Sequence, residues 1–231
     1  MAEGAIITTD TPALRVLGPP VEGENWLADD GPSNDPNNHH RRGIVIFDGR
    51  AVISRRFAID WTRVKDGVSF AGDSRDVRSY FAYDTSVLAV ADGRVVETID
   101  GLPNNIPGHA DAFHPAVPIT LETVRGNAIT LDLGGGQFAY YMHLQQGSLR
   151  VKEGDRVHRG QILAHIGCSG DAREPHLHFE VTNSSKPLKG EGVPYLINRY
   201  RLKSATGALE TRTYELPLDK SVVVFTKDHR E

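Results

Sequence analysis

One cysteine, two methionines and two tryptophans are all that 231 residues contain of those types. Cys168, being alone, cannot close an internal disulfide. A chain of this length buries roughly 70–75% of the surface it exposes when unfolded, so it needs no covalent staples. Long apolar runs are missing too: nothing approaches the ~18 residues of a membrane span. The opening Met1-Ala2-Glu3-Gly4-Ala5-Ile6-Ile7 has no basic stretch and no apolar core of the kind an export signal carries. Charge of one sign is also lacking. Twenty-six basic residues against 30 acidic ones give no basic excess for nucleic acid and no block that would serve as an interaction tail. Helical periodicity is scarce, with no such run longer than about ten residues, and there is no internal repeat.

What the sequence does contain is β pattern. Residues 1–38 hold many breakers, among them Gly18-Pro19-Pro20 and Gly31-Pro32-Ser33-Asn34-Asp35-Pro36, and read as an extended arm laid over the domain. Ile44-Val45-Ile46-Phe47, then Asp48-Gly49, then Ala51-Val52-Ile53 spell a hairpin with a two-residue type I′ turn. It runs on into Phe57-Ala58-Ile59-Asp60-Trp61. A second strand–turn–strand unit covers 86–98. Residues 101–124, with Pro103, Pro107, Pro115, Pro118, His109 and His114, form an insertion longer than ordinary connections and suit a rim or lid. Strands resume at 128–133 and 137–143 around Gly134-Gly135-Gly136, then at 151–157, 161–166 and 176–181. Short strands at this spacing predict a mostly β sandwich or barrel-like sheet domain over 39–185. Residues 186–231 are expected to add a C-terminal β extension packed on the same domain.

The densest chemical signal is Pro175-His176-Leu177-His178-Phe179-Glu180-Val181. Side chains at i and i+2 of a strand share a face, so His176 and His178 point together while Leu177 and Phe179 enter the core. Two neutral imidazoles side by side suit a metal; two exposed histidines on a solvated strand face read the same way. His143 ends the strand Ala139-Tyr140-Tyr141-Met142-His143 and is either a site residue or a capped surface histidine. Hydrolytic zinc sites mix histidine with carboxylate and keep one position for water. Asp60, closing an apolar run, offers that carboxylate, or merely starts a turn. His158, His165 and His229 carry no such pattern, His109 and His114 are weaker cleft-lining candidates, and Cys168 reads as structural.

In order along the chain, Val90-Ala91-Asp92-Gly93-Arg94-Val95, Gly126-Asn127, Tyr141-Met142-His143-Leu144, Val151-Lys152-Glu153-Gly154-Asp155-Arg156-Val157, Gly160-Gln161, Gly167-Cys168-Ser169-Gly170 and Pro175-His176-Leu177-His178-Phe179-Glu180 resemble the catalytic core of the lysostaphin-type zinc murein endopeptidases. The resemblance implies Zn2+ bound by Asp60 and His178, with His143 and His176 positioning the attacking water and stabilising the oxyanion. It also implies hydrolysis of peptide bonds in the stem or cross-bridge of peptidoglycan, in the cell envelope, periplasm or outside the cell. It implies neither nucleic acid nor a membrane span, and leaves the oligomeric state open.

One position departs from that family. Its usual His-x-Gly-x-Asp is here Arg56, Ala58 and Asp60, and an arginine stays protonated and does not ligate zinc. Strand geometry suggests a replacement. The I′ turn pairs Phe47 with Arg50, and carrying that register outward sets Arg41 opposite Arg56 and His39 opposite Ala58. His39 would then share a face with Asp60, with backbone positions roughly 7–8 Å apart, as the third zinc ligand. His40 would face the other way, toward Phe57. Two rival readings follow from the same residues. In one, Arg56 pairs with Asp60 and the domain binds peptidoglycan or a partner protein without hydrolysis. In the other, 86–98 and 151–166 are the halves of a biotinyl- or lipoyl-type carrier, which requires a hairpin lysine beside methionine. Met1 and Met142 have no lysine next to them.

Overall fold

The computed structural model describes residues 14–47, 49–108 and 112–226, together with the backbone of Glu3–Gly4. His109, His229 and Asp48 of the expected turn lie outside the described residues. The architecture is mostly β. The strands are β1 (Glu3–Gly4), β2 (Arg15–Leu17), β3 (Gly23–Asp29), β4 (Val45–Phe47), β5 (Arg50–Val52), β6 (Ile59–Arg63), β7 (Ser86–Leu88) and β8 (Gly93–Ile99). They continue as β9 (Asn127–Asp132), β10 (Phe138–Leu144), β11 (Arg156–Val157), β12 (Ile162–His165), β13 (Leu177–Thr182), β14 (Tyr195–Lys203), β15 (Leu209–Glu215) and β16 (Val222–Phe225). One large sheet runs β11-β8-β9-β10-β13-β6-β3-β16-β14-β15, with β2 alongside β14. Two further small sheets are β1-β5-β4 and β12-β7.

Alternation sorts the large sheet into two faces. Leu177, Phe179 and Val181 of β13, Ile59 and Trp61 of β6, Trp26 and Ala28 of β3, and Ala139 and Tyr141 of β10 all join one buried apolar cluster. Aromatic rings lock it, with Trp61 edge-on to Phe225 at 5.2 Å and Phe179 edge-on to Tyr195 at 5.4 Å. The residues between them, His178, Glu180, Asp60, Thr62 and Asp29, turn to the opposite face and line a cleft.

Three sequence expectations change here. The segment 1–38 is no mere arm, because β3 is an interior strand of the large sheet, antiparallel to both β6 and β16. Buried Trp26 and Ala28 outweigh the poor strand propensity around Asn25, whose φ is +63°. The hairpin β4–β5 has the expected register, with Phe47 opposite Arg50 and Val45 opposite Val52, but pairing stops there. Residues His39–Arg42 form a single helical turn, α1, and Ser54–Phe57 a 3-10 turn. Finally, β7 and β8 part company, β7 pairing with β12 and β8 entering the large sheet. From the C-terminal segment, β15 lies at the sheet's edge, whereas β16 sits between β14 and β3.

The insertion 101–124 is stitched down by asparagine amides. Asn105 donates to the carbonyls of Gly170 and Ala172 (2.7 and 3.0 Å), and Asn127 exchanges two 2.8 Å bonds with Leu102. Asn104 accepts from the Cys168 amide. These bonds tie the insertion to the loop that precedes β13 and to the start of β9.

Candidate metal and hydrolytic centre

A row of residues crosses the large sheet at the cleft. Met142 stands opposite His178, His178 opposite Asp60, and Asp60 opposite Asp29. The cleft over this row measures about 590 Å3. Four histidines converge on the Asp60 carboxylate. His178 Nδ1 lies 2.8 Å from Oδ1 and His176 Nε2 3.6 Å from it; His40 Nε2 lies 3.5 Å and His39 Nε2 3.9 Å from Oδ2. Every sequence-predicted site residue, His39, Asp60, His143, His176 and His178, therefore borders one cleft.

His143 reaches it through a bulge. Strict alternation along β10 would send His143 into the apolar cluster beside Tyr141. Instead Met142 and His143 together face one residue of β9, the pairing shifting between Tyr141 and Leu144. His143 sits in the left-handed region, at φ +65°, which is costly for a residue with a Cβ and is held by its surroundings. Its amide donates to the Arg125 carbonyl and its carbonyl accepts from Gly167. Its ring lies 4.8 Å from that of His176.

Three of these imidazoles share one device. The Nδ1 atoms of His40, His143 and His176 lie 2.8, 2.9 and 2.8 Å from the carbonyls of Asp30, Ser169 and Glu174. A carbonyl only accepts, so each Nδ1 carries the proton and donates it. Each Nε2 is thereby left as a lone pair when the ring is neutral. Burial pushes His40 down to about 3, against the opposing pull of Asp60. Burial also holds His143 well below the ordinary histidine value, helped by His176 and His178. Burial works to raise Asp60, yet the charges of His40, His176 and His178 outweigh it and keep the carboxyl well below its usual range. For His178 burial is again the larger opposing influence, and Asp60 overcomes it, lifting the imidazole to about 9.

His40 corrects the expectation that placed it on the opposite face. It is buried, its Nε2 has no hydrogen-bond partner, and that lone pair looks at a carboxylate oxygen 3.5 Å away. Two acceptors facing each other in a buried site call for a cation between them. Donors bound to zinc at 2.0–2.1 Å with tetrahedral angles stand about 3.4 Å apart, so the pair already has the required separation. Neutral imidazole, carboxylate and the Nδ1 of His178 form a donor set that suits zinc. The residues present fit the ion. Arg56 is exposed, and no ion pair among the described residues joins it to Asp60. The Arg56–Asp60 pairing supposed in the non-hydrolytic reading is thus not seen among the described residues.

Sequence reasoning missed other groups. Glu180 is buried, neither of its oxygens has a hydrogen-bond partner, and Oε2 lies 3.5 Å from His178 Nε2. Arg55, Arg125 and Arg173 also line the cleft. Arg173 lies over the Phe113 ring of the insertion at 4.0 Å and pairs with Asp171 at 3.1 Å. The i, i+2 spacing of His178 and Glu180 was the available signal for the first; nothing local marks the arginines.

Comparison with known proteins adds an independent line. The description Peptidase family M23 matches residues 75–190. Glycyl-glycine endopeptidase ALE-1 of Staphylococcus capitis is 34% identical over 128 residues, 54% of this chain and 29% of that protein. Peptidoglycan DD-endopeptidase ShyB of Vibrio cholerae is 30% identical over 99 residues, 42% of this chain and 23% of that one. The chain thus spans less than a third of the length of these relatives. The catalytic domain of lysostaphin from Staphylococcus simulans aligns with a TM-score of 0.36 at 24% identity, over 58% of this chain and 73% of that domain. His39, His40 and Asp60 precede the family match, so their grouping rests on geometry alone.

Proposed function

Because the chain belongs to peptidase family M23, we propose that it is a zinc endopeptidase that cleaves peptide bonds in the stem or cross-bridge of peptidoglycan. His40, Asp60 and His178 would hold the ion, and His143 and His176 would serve the reaction. One observation carries the reading: the unpartnered, buried Nε2 of His40 facing the Asp60 carboxylate. The substrate class is supported by the relatives' names, a glycyl-glycine endopeptidase and a peptidoglycan DD-endopeptidase. The same relatives support a place in the cell envelope or outside the cell. No helix among the described residues is long and apolar enough to cross a membrane.

Bound zinc would polarise the scissile carbonyl and lower the pKa of a bound water toward ~7. The chain's own residues do the rest. His143 and His176 have Nδ1 committed to backbone carbonyls, so Nε2 is the atom that can take up or release a proton. A neutral ring there takes the proton of the attacking water. Once protonated, the same Nε2–H faces the developing oxyanion and then delivers its proton to the departing amine. The carbonyl anchors fix the orientation of both rings.

The experiment is a metal and activity census on protein purified without a histidine tag. A chelator should abolish cleavage of peptidoglycan peptides and zinc should restore it. His40→Ala, Asp60→Ala and His178→Ala should lose metal and activity together. His143→Ala and His176→Ala should keep the metal and lose about 10²–10⁴-fold in kcat. Cleavage by metal-free protein would refute the zinc mechanism. Metal-loaded protein that binds but never cleaves peptidoglycan would support the non-hydrolytic reading instead.

A further inference from the structure

We propose that His39 is a fourth, displaceable ligand, so that the resting centre is closed and opens only when His39 swings out to solvent. This rests on the zinc reading above and extends it to how water and substrate gain access.

Donor counting is the starting point. His39, His40 and Asp60 each offer a ligand atom, and those atoms lie within 4.8 Å of one another. His178 stands outside that group, but its Nδ1 lies 2.8 Å from the other Asp60 oxygen, Oδ1, and would bring the donors to four. Four protein donors satisfy tetrahedral zinc, and a zinc with four protein ligands has no place for a reacting water. A hydrolytic centre therefore needs one of the four to leave.

Burial identifies which one. The His40 side chain is 2% exposed and its Nδ1 is fixed on the Asp30 carbonyl. His178 is buried in β13, and Asp60, its side chain 13% exposed, is held on β6 between β13 and β3. His39 alone is 45% exposed at the cleft mouth. Its Nδ1 donates to the Asp30 carboxylate at 2.8 Å, which aims Nε2 at Asp60 Oδ2, 3.9 Å away. That separation is within about half an ångström of the ~3.4 Å between two zinc donors. The element that carries it is one helical turn capped by Asn38, whose side chain accepts from the Arg41 amide. Rotating His39 outward breaks its bond to Asp30 and leaves the cap, His40 and the sheet in place.

Neighbouring residues also make this a distinct role from His40. Both histidines bind through Asp30, but one uses its backbone carbonyl and the other its side chain. Removing the Asp30 carboxylate therefore frees His39 without touching the His40 anchor.

Cobalt-loaded protein tests this, because the visible spectrum of Co2+ distinguishes a closed four-ligand site from one with an exchangeable position. His39→Ala and Asp30→Ala should keep one metal per chain and change that spectrum in the same direction. Azide should bind both variants more tightly than wild type. If His39 occupies the position nine-tenths of the time, the gain is about tenfold, and kcat/KM should rise with it. An unchanged spectrum and azide affinity in His39→Ala would overturn the proposal while leaving the zinc centre standing. So would loss of the metal from His39→Ala with retention in His40→Ala, which would make His39 an obligatory ligand. Wild type that takes up neither zinc nor cobalt would refute the centre itself.

Discussion

The two walls of the cleft both anchor their histidines at Nδ1 but are built from different material. His143 is the bulge of interior strand β10 and His176 ends the loop packed beside it, where Asn127, Ser169 and Leu144 exchange buried hydrogen bonds. His39 and His40 hang on one isolated helical turn between β3 and β4. The first wall cannot shift without breaking several buried bonds, each expensive to leave unmade. The second can shift by a side-chain rotation. On the proposed roles, the groups that would handle protons sit where precision is greatest, and the one that would control access sits where motion costs least.

Glycine substitutions break or sharpen that contrast most strongly. Gly170 has φ +71°, and a Cβ there would collide with the backbone of Gly126 and the Val124 carbonyl, fixed atoms that cannot yield. Gly170→Ala should cost about 3 kcal/mol or more and should displace the Ser169 carbonyl that orients His143. On the other wall, Gly43 has φ −72°, and its Cβ would meet only the end of the Arg55 side chain, at 2.5 Å. Gly43→Ala should cost less than about 1 kcal/mol. Thermal melts of the two variants check both figures. Equal losses would show that the walls are equally rigid.

Much of the first wall was legible in the sequence, and little of the second. Period-two alternation put Leu177 and Phe179 inside and His176 and His178 together on the opposite side, and the triple glycine announced the β9–β10 turn. These features are local and repeat along a strand. The bulge at His143 is set by the loops it packs on, so no local pattern shows it. For the second wall the hairpin register held for three pairs and then stopped before Ile44 and Ile53. The register argument assumed continuous pairing, and it carried His40 to the wrong face. Asn38, an N-cap residue directly before His39, was the signal that a helical turn begins there. Gly23–Asp29 escaped notice because Gly, Glu, Asn and Asp are weak strand formers, and the burial of Trp26 and Ala28 decides the matter.

A smaller effect is expected behind the proposed metal site, where both walls meet. His178 would give Nδ1 to the ion and leave Nε2–H pointing at Glu180, 3.5 Å away. A carboxylate behind a ligating imidazole fixes its tautomer and raises its basicity. Glu180→Gln should weaken zinc binding about 10–100-fold with little change in fold, since the amide has nearly the same shape. Competition with a chelator of known affinity measures it. Unchanged affinity would mean that the strand alone orients His178.

The smallest expected effect concerns the ion pair that braces the first wall. Arg125 donates to both oxygens of Glu97, at 2.6 and 3.1 Å, and Thr130 adds a 3.1 Å bond. The backbone carbonyl of the same arginine receives the amide of His143. Burial tends to raise the Glu97 carboxyl, but the Arg125 guanidinium outweighs it and the net shift is downward from 4.5. A carboxyl whose folded value is lowered stabilises the fold fully above its unfolded value, and the contribution drains away as pH falls through the folded value. Glu97 is 36% exposed, so solvent screening keeps the contribution to about 1 kcal/mol or less. Urea unfolding of wild type and Glu97→Gln should therefore differ by that amount at pH 7, and the gap should close as the pH drops below about 4.5. A gap that persists undiminished to pH 3 would mean that the loss comes from packing rather than charge. Because the brace acts through the backbone at His143, Glu97→Gln should also lower kcat slightly at neutral pH while zinc content stays the same. A fall in zinc content instead would place the brace with the metal, on the other side of the comparison.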